Sequence, residues 1–187
     1  CIGVHRTGDS AQELIEKIEG LRDQVDLVIT TGGVSAGRMD FVPRALELMG
    51  ADILFHRVAI RPGKPALFAR LPDGTWFFGL PGNPIAVAVG LRFFVAPALR
   101  IMQGLAPEEL RIARLDEAVH KKQGLTFFAK ARVTTTADGA LAVNVLAGQE
   151  SFKIKPLLDA NCWAVVPADV ENMPAGATVR VADSTGA

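Results

Sequence analysis

Cysteine is scarce in this chain. Its 187 residues include only Cys1 and Cys162. They are far apart and form no CxxC pair, which excludes a disulfide framework and a cysteine zinc site and suits a reducing cytoplasm. The three histidines, His5, His56 and His120, show no metal-ligand spacing. Net charge is absent too, with 20 basic residues against 20 acidic ones. No overall field favours nucleic acid or a membrane surface, so any anion site must come from local clustering. No signal peptide is apparent, and no apolar run reads as long enough to span a bilayer. Internal repeats and low-complexity segments are absent as well. The chain opens in what reads as a strand, residues 1–5, without an initiator methionine, which suggests a piece of a longer protein. What remains is an apolar fraction of 49%, enough for a substantial core.

Residues 1–104 alternate strand and helix. Ala11, Leu14, Ile15, Ile18, Leu21 and Val25 recur at helical spacing, and Ser10 with Glu13 has the form of a capping box. A buried strand over 26–30 runs into a glycine-rich loop, and a helix follows over 41–49 with Gly50 as its stop. Strands are expected near 52–60, 66–70 and 75–80, the last two separated by a Pro72-Asp73-Gly74 turn. Asn83 suits a helix N-cap and Pro84 the first helical position; Pro97 should kink the helix that follows. This order predicts an α/β domain over 1–104, a parallel or mixed sheet with flanking helices. Ligands on such sheets bind beyond the carboxyl ends of the strands. After Pro107 the pattern changes. Ala129, Ala131 and Val133 interleave with Lys130, Arg132 and Thr134, a turn follows at 137–139, and further strands are expected over 162–166 and 178–181. Short alternating strands predict a small all-β barrel or sandwich domain over 108–187.

Four features could carry chemistry. In the loop from Gly32 and Gly33 through Ser35 to Gly37, glycines let backbone N–H groups approach an anion, and the following helix adds its positive end. A ligand-free strand-to-helix turn would look the same. Asp40 could hold Mg²⁺ beside a phosphate, or simply cap the next helix. The turn Arg61-Pro62-Gly63-Lys64-Pro65 lies in a stretch, 53–72, with no acid and with Arg57, Arg61, Lys64 and Arg70. A stiff basic turn presents cations at low entropic cost. Pro81, Gly82 and Asn83 open another helix N-terminus. Thr7 to Asp9 reads as a turn, the histidines as packed or exposed, and Trp76 and Trp163 as core.

These pieces, as TTGGVSAGRMDFV, AIRPGKP and FGLPGNPIA, resemble in order and spacing the pterin-binding domain of the MoeA family, the molybdopterin molybdenumtransferases. FFAKARV, GQESF, LLDANCWAVVP and AGATVRV resemble that family's C-terminal β-domain. The resemblance covers nearly the whole chain but not the family's N-terminal part. It implies an enzyme of molybdenum cofactor biosynthesis that cleaves adenylylated molybdopterin, inserts molybdate and releases AMP with help from Mg²⁺ or another divalent cation. It also implies a cytoplasmic homodimer, with the adenylyltransferase of the preceding step as a candidate partner and no nucleic acid or membrane. By that resemblance Ser35, Asp40 and Lys64 are catalytic, with Asp40 the metal ligand. Gly32, Gly33, Gly37, Arg61, Pro65, Pro81, Gly82, Asn83, Lys130 and Ser151 bind substrate. Arg38 stands where an acid is common in the family, Ala86 where a serine is common, Arg61 where a lysine is frequent and Lys130 where an arginine is. The alternatives are a molybdopterin adenylyltransferase, against which residues 108–187 argue, and a non-catalytic interaction scaffold of the same fold.

Overall fold

A computed structural model describes residues 1–35 and 40–184. Gly37 and Arg38 therefore lie outside the described residues. The chain forms two compact units. One comprises Cys1–Val58 with Pro65–Asn83; the other comprises Ala59–Lys64 and the chain from Pro84 onward.

In the first unit, α1 (Ala11–Glu19) and α2 (Phe41–Leu48) pack on a four-stranded sheet. Its strands are β1 (Leu27–Thr31), β2 (Asp52–His56), β4 (Leu67–Arg70) and β5 (Trp76–Leu80), in the order β1-β5-β4-β2. Only β1 and β5 run parallel; β5, β4 and β2 are antiparallel neighbours, so the sheet is mixed. The apolar faces set this arrangement. Leu14 and Ile18 from α1 and Val42, Ala45 and Leu46 from α2 share one core with Leu67, Ala69 and Phe77 from the sheet. On the other sheet face Phe68 stacks with Trp76 and Phe78, centroids 5.2 and 4.5 Å apart. Trp76 is half-buried there, under the guanidinium of Arg70, rather than in the core.

Two local expectations fail for clear reasons. Residues 1–5 form no strand: Ile2 and Val4 are exposed, and extended backbone without a neighbouring ladder is not a strand. Ser10 makes no side-chain cap to α1, and the Glu13 carboxylate instead accepts from the Gly8 N–H at 2.7 Å. The acid still satisfies a backbone donor, two residues earlier than a capping box requires.

The second unit is a closed barrel with a helix on it. Its strands are β3 (Ile60–Arg61), β6 (Arg111–Leu115), β8 (Thr126–Thr135), β9 (Leu141–Val145), β10 (Cys162–Val166) and β12 (Thr178–Asp183). They run in the order β10-β12-β6-β9-β8-β3, and a β10–β8 pairing closes the ring, so the barrel form of the expectation is the one adopted. A small ladder of β7 (Val119–His120) and β11 (Asn172–Met173) lies beside it. Ala129, Ala131 and Val133 face the barrel core with Cys162, Ala164 and Val166, as the period of two requires. The β8–β9 hairpin turns at Gly139, whose φ of 84° suits glycine. Strand β6 was not legible, because Ile112 is exposed and the sequence there does not alternate.

Also in the second unit, α3 (Pro84–Gly90) and α4 (Ala96–Met102) are joined by a π-helical stretch, Leu91–Val95, placed just before Pro97. A wider turn moves the Phe93 carbonyl away from the proline ring, which the α-helical ladder would clash with. These 19 residues are long and apolar enough to cross a bilayer by length and composition, against the sequence expectation. Their contacts are those of a helix on a barrel. The buried Arg92 donates to the Asp183 carbonyl at 2.7 Å and to the Glu108 carboxylate at 2.6 Å, and Phe93 stacks on Phe128. By these contacts the helix groups with the barrel.

Candidate functional site

The residues singled out by sequence fall into one cluster in the first unit and two in the second. In the first unit, β1 and β5 are parallel neighbours paired Thr31 to Leu80, so their carboxyl ends lie side by side. Both glycine loops spring from there. A Cβ on Gly82 would make an ordinary contact, 3.5 Å from the Gly32 Cα, so the two loops are close neighbours. The topology thus brings Gly32, Gly33 and Ser35 together with Pro81 and Gly82, where α/β sheets place ligands.

The loop is shaped by what glycine permits. Gly33 has φ +67°, and a Cβ there would meet the Phe41 ring at 2.6 Å. Gly32 has φ +92°, and its N–H is spent on the Leu80 carbonyl at 2.9 Å, so it belongs to the sheet rather than to an anion. Val34 plugs into the core beside Gly79, where a Cβ would come within 2.7 Å of it. His56 Nε2 lies 3.0 Å from the Val34 carbonyl. A carbonyl accepts, so His56 donates and carries its proton on Nε2. The sequence reading had no signal for this contact, which joins residues 22 apart. With Val34 pinned, Ser35 is left exposed at the loop's surface. Asp40 stands at the N-cap position of α2 with extended backbone, yet its side chain makes no cap bond. The capping explanation for Asp40 therefore loses ground. Among the described residues no three His, Cys, Asp or Glu side chains gather into a cation cage. A single carboxylate suits Mg²⁺ only where substrate phosphate oxygens supply further ligands.

In the second unit, β3 pairs in parallel with β8, Arg61 opposite Phe127. The Arg61 guanidinium lies over the Phe127 ring, 5.2 Å from its centroid. The next peptide, Arg61–Pro62, is cis, and the buried Gly63 follows at φ +110°. Lys64 is exposed at the end of this turn; Pro65 begins the next stretch of the first unit.

Lys130 sits differently from what its sequence position suggested. It lies on the outward register of β8 yet is 1% exposed. Its ammonium donates to the carbonyls of Gly148, Glu150 and Lys153 at 2.8, 3.3 and 3.0 Å. Burial pulls its pKa down, and the Glu150 carboxylate partly offsets this. Gln149 completes the clasp, accepting from the Lys130 N–H and donating to the Lys130 and Leu146 carbonyls. All three protons of the ammonium are engaged, so in this state Lys130 is a strut for the loop that carries the half-buried Ser151.

Residues 1–101 match the family described as probable molybdopterin binding domain, and residues 112–183 match the MoeA C-terminal region (domain IV). The molybdopterin molybdenumtransferase of Synechococcus elongatus is 40% identical over 158 residues, covering 84% of this chain and 38% of that protein. Its counterpart in Staphylococcus aureus is 34% identical over 184 residues, covering 96% and 43%. The crystal structure of a molybdopterin biosynthesis moeA protein from Pyrococcus horikosii superposes with a TM-score of 0.72 at 24% identity, over 95% of this chain and 42% of that one. The chain thus spans about two fifths of the length of these curated relatives.

Proposed function

This chain belongs to the MoeA family, and from that premise we propose that it serves molybdenum insertion in molybdenum cofactor biosynthesis. The substrates are adenylylated molybdopterin and molybdate, and AMP leaves. The observation that carries this reading is the pair of neighbouring glycine loops beyond parallel strands in one unit, with the rigid basic turn Arg61–Lys64 in the other. Both suit anions, and the pterin phosphate, the nucleotide phosphate and molybdate are all anions.

In this proposal Ser35 donates a hydroxyl hydrogen bond to a substrate oxygen from a loop fixed by Val34 and His56. The helix N-terminus after Asn83 adds its dipole. Lys64 and Arg61 stabilise charge that develops on phosphate or oxometal oxygens. Lys130 acts through the loop it holds, by placing Ser151. Asp40 would share Mg²⁺ with substrate phosphates, and the bound cation would polarise the anhydride joining pterin phosphate to AMP. Gly37 is assigned to substrate binding in this proposal by the family resemblance. A homodimer in the cytoplasm, with the adenylyltransferase as upstream partner, belongs to the same reading.

The test is a titration of this protein with molybdate and with adenylylated molybdopterin, repeated on Lys64→Ala. At least one of the two affinities should fall by about tenfold or more, the scale of one lost charged hydrogen bond. Unchanged affinity for both ligands would overturn the assignment of Lys64. The adenylyltransferase alternative predicts AMP attached to molybdopterin after incubation with ATP; the reading proposed here predicts none.

A further inference from the structure

The outside of the barrel carries charge of a single sign. The core takes Ala113, Leu115, Val179 and Val181 from β6 and β12, so Ile112, Arg114, Thr178 and Arg180 point outward. At the outward positions of β6, β8, β9, β10 and β12 every charged residue is basic: Arg114, Lys130, Arg132 and Arg180. Lys130 is spent beneath its loop, and Arg132 donates to the Asp159 carbonyl. Arg114 and Arg180 are exposed and form no ion pair among the described residues. Asp138, at the hairpin turn, feels the charge of Arg114 without pairing with it.

The register makes these two arginines a unit. Thr178 stands opposite Arg114 and Ile112 opposite Arg180, so the arginines are diagonal neighbours across β6 and β12. Diagonal positions on a sheet face lie roughly 7–8 Å apart, within reach of long side chains. Like charges so placed repel, in a chain whose 20 basic residues are balanced by 20 acidic ones. Ile112, beside both, is 56% exposed, and Thr178 adds a hydroxyl. The face thus offers two unspent guanidinium forks around one bare apolar side chain.

This set selects its partner. A carboxylate accepts two parallel N–H bonds from an arginine fork, and an apolar side chain of the same partner covers Ile112. Nucleic acid fits less well. Its bases need exposed rings to stack on, and the aromatic residues at outward strand positions, Phe128 and Trp163, are buried. A lipid surface would need a wider apolar patch than one isoleucine. We propose that the β6–β12 face is a docking surface for an acidic segment of another protein, with carboxylates on Arg114 and Arg180 and an apolar residue on Ile112. None of these residues enters the reaction proposed above, so the two readings stand or fall separately.

The experiment titrates the 187-residue protein with a short synthetic peptide of glutamates around one leucine, with its glutamine counterpart, and with a single-stranded oligonucleotide of equal charge. The methyl NMR signals of Ile112 and Thr178 report where each one binds. The glutamate peptide should shift both methyls and bind at least about tenfold tighter than the other two. Arg114→Gln and Arg180→Gln, both at exposed positions, should each weaken it about fivefold, the scale of one exposed ion pair. Lys17→Gln removes the same charge from the exposed face of α1 and should leave the affinity unchanged. Joining Arg114→Glu to Arg180→Glu should transfer the preference to the lysine counterpart of the peptide. Equal binding of the glutamine peptide would overturn the proposal, as would tighter binding of the oligonucleotide. The same loss from Lys17→Gln as from Arg180→Gln, or shifts that spare both methyls, would overturn it too.

Discussion

In the first unit the candidate site is backbone. Two glycine loops lie close at the ends of β1 and β5, and the side chains nearby, Val34 and His56, serve to fix the loop. In the second unit it is side chains, with Arg61 laid on Phe127 and Lys130 spending its ammonium on three carbonyls. The contrast follows from what each frame supplies. Parallel strands deliver loop backbones to one place, and the positive φ of Gly32 and Gly33 shapes one of those loops. A small barrel delivers alternating side chains, and these need hydrogen bonds to hold still. The two units should therefore fail differently: the first through added atoms, the second through removed ones.

The largest effect is expected from removal. Lys130→Met keeps the length of the side chain but leaves the carbonyls of Gly148, Glu150 and Lys153 without their donor. The expected cost is about 3 kcal/mol, from a lost charged hydrogen-bond cluster. Urea unfolding followed at Trp163 would measure it, and hydrogen exchange should quicken first over 148–153. A cost under about 0.5 kcal/mol, the range of ordinary surface changes, would mean that the clasp is ornamental. Addition comes next. Gly33→Ala places a methyl within 2.6 Å of the Phe41 ring at a φ that L residues rarely adopt. The expected loss is about 2 kcal/mol, combining backbone strain with overpacking. Gly32→Ala, whose Cβ would meet no described residue within 4 Å, should cost less, about 1 kcal/mol, mainly the backbone term. Equal losses at the two positions would break the steric account of the loop.

This contrast also explains which features the sequence revealed. Glycine loops are legible because glycine is required by backbone conformation, which is local. The β8 strand was legible for the same reason, since its alternation is local. The clasp of Lys130 was not, because burial of an outward-facing lysine depends on a loop about 20 residues away. His56 belongs to no motif in the sequence, yet it supports the glycine loop through the Val34 carbonyl. The helix over 84–102 read as part of the α/β domain from strand–helix alternation. The family match over residues 1–101 takes in most of this helix, while its buried Arg92 reaches Glu108 and Asp183. Arginine in an apolar helix was the available signal, and its partner could not be read from spacing.

Alkali should separate the units. Cys162 faces the barrel core, and burial pushes its thiol up to about 11. The raised value leaves stability intact below the unfolded thiol's pKa and removes it progressively as pH climbs toward 11. The loss should reach about 2 kcal/mol and fall on the second unit, and Cys162→Ala should abolish this pH limb. A limb unchanged in that variant would assign the alkaline loss to another group.

Acid should not separate them, and its effect is the smallest. In the first unit the Asp73 carboxyl lies below its usual range because it accepts from the Thr75 N–H at 2.9 Å. A lowered carboxylate pKa stabilises above the unfolded value and is lost as pH falls through the folded one. In the second unit Asp138 and Glu150 are lowered as well, the first chiefly by its hydrogen bond from Thr136 and the second by Lys153. Both units therefore weaken together below about pH 4, near the ordinary carboxylate pKa. Asp73→Asn should flatten only the first unit's share, by no more than about 0.5 kcal/mol, because a solvated turn carboxylate is strongly screened. Backbone amide shifts in 72–76 and 136–140, followed across the acid range, would check this. A transition confined to one of those turns would show that the acid response, like the alkaline one, belongs to a single unit.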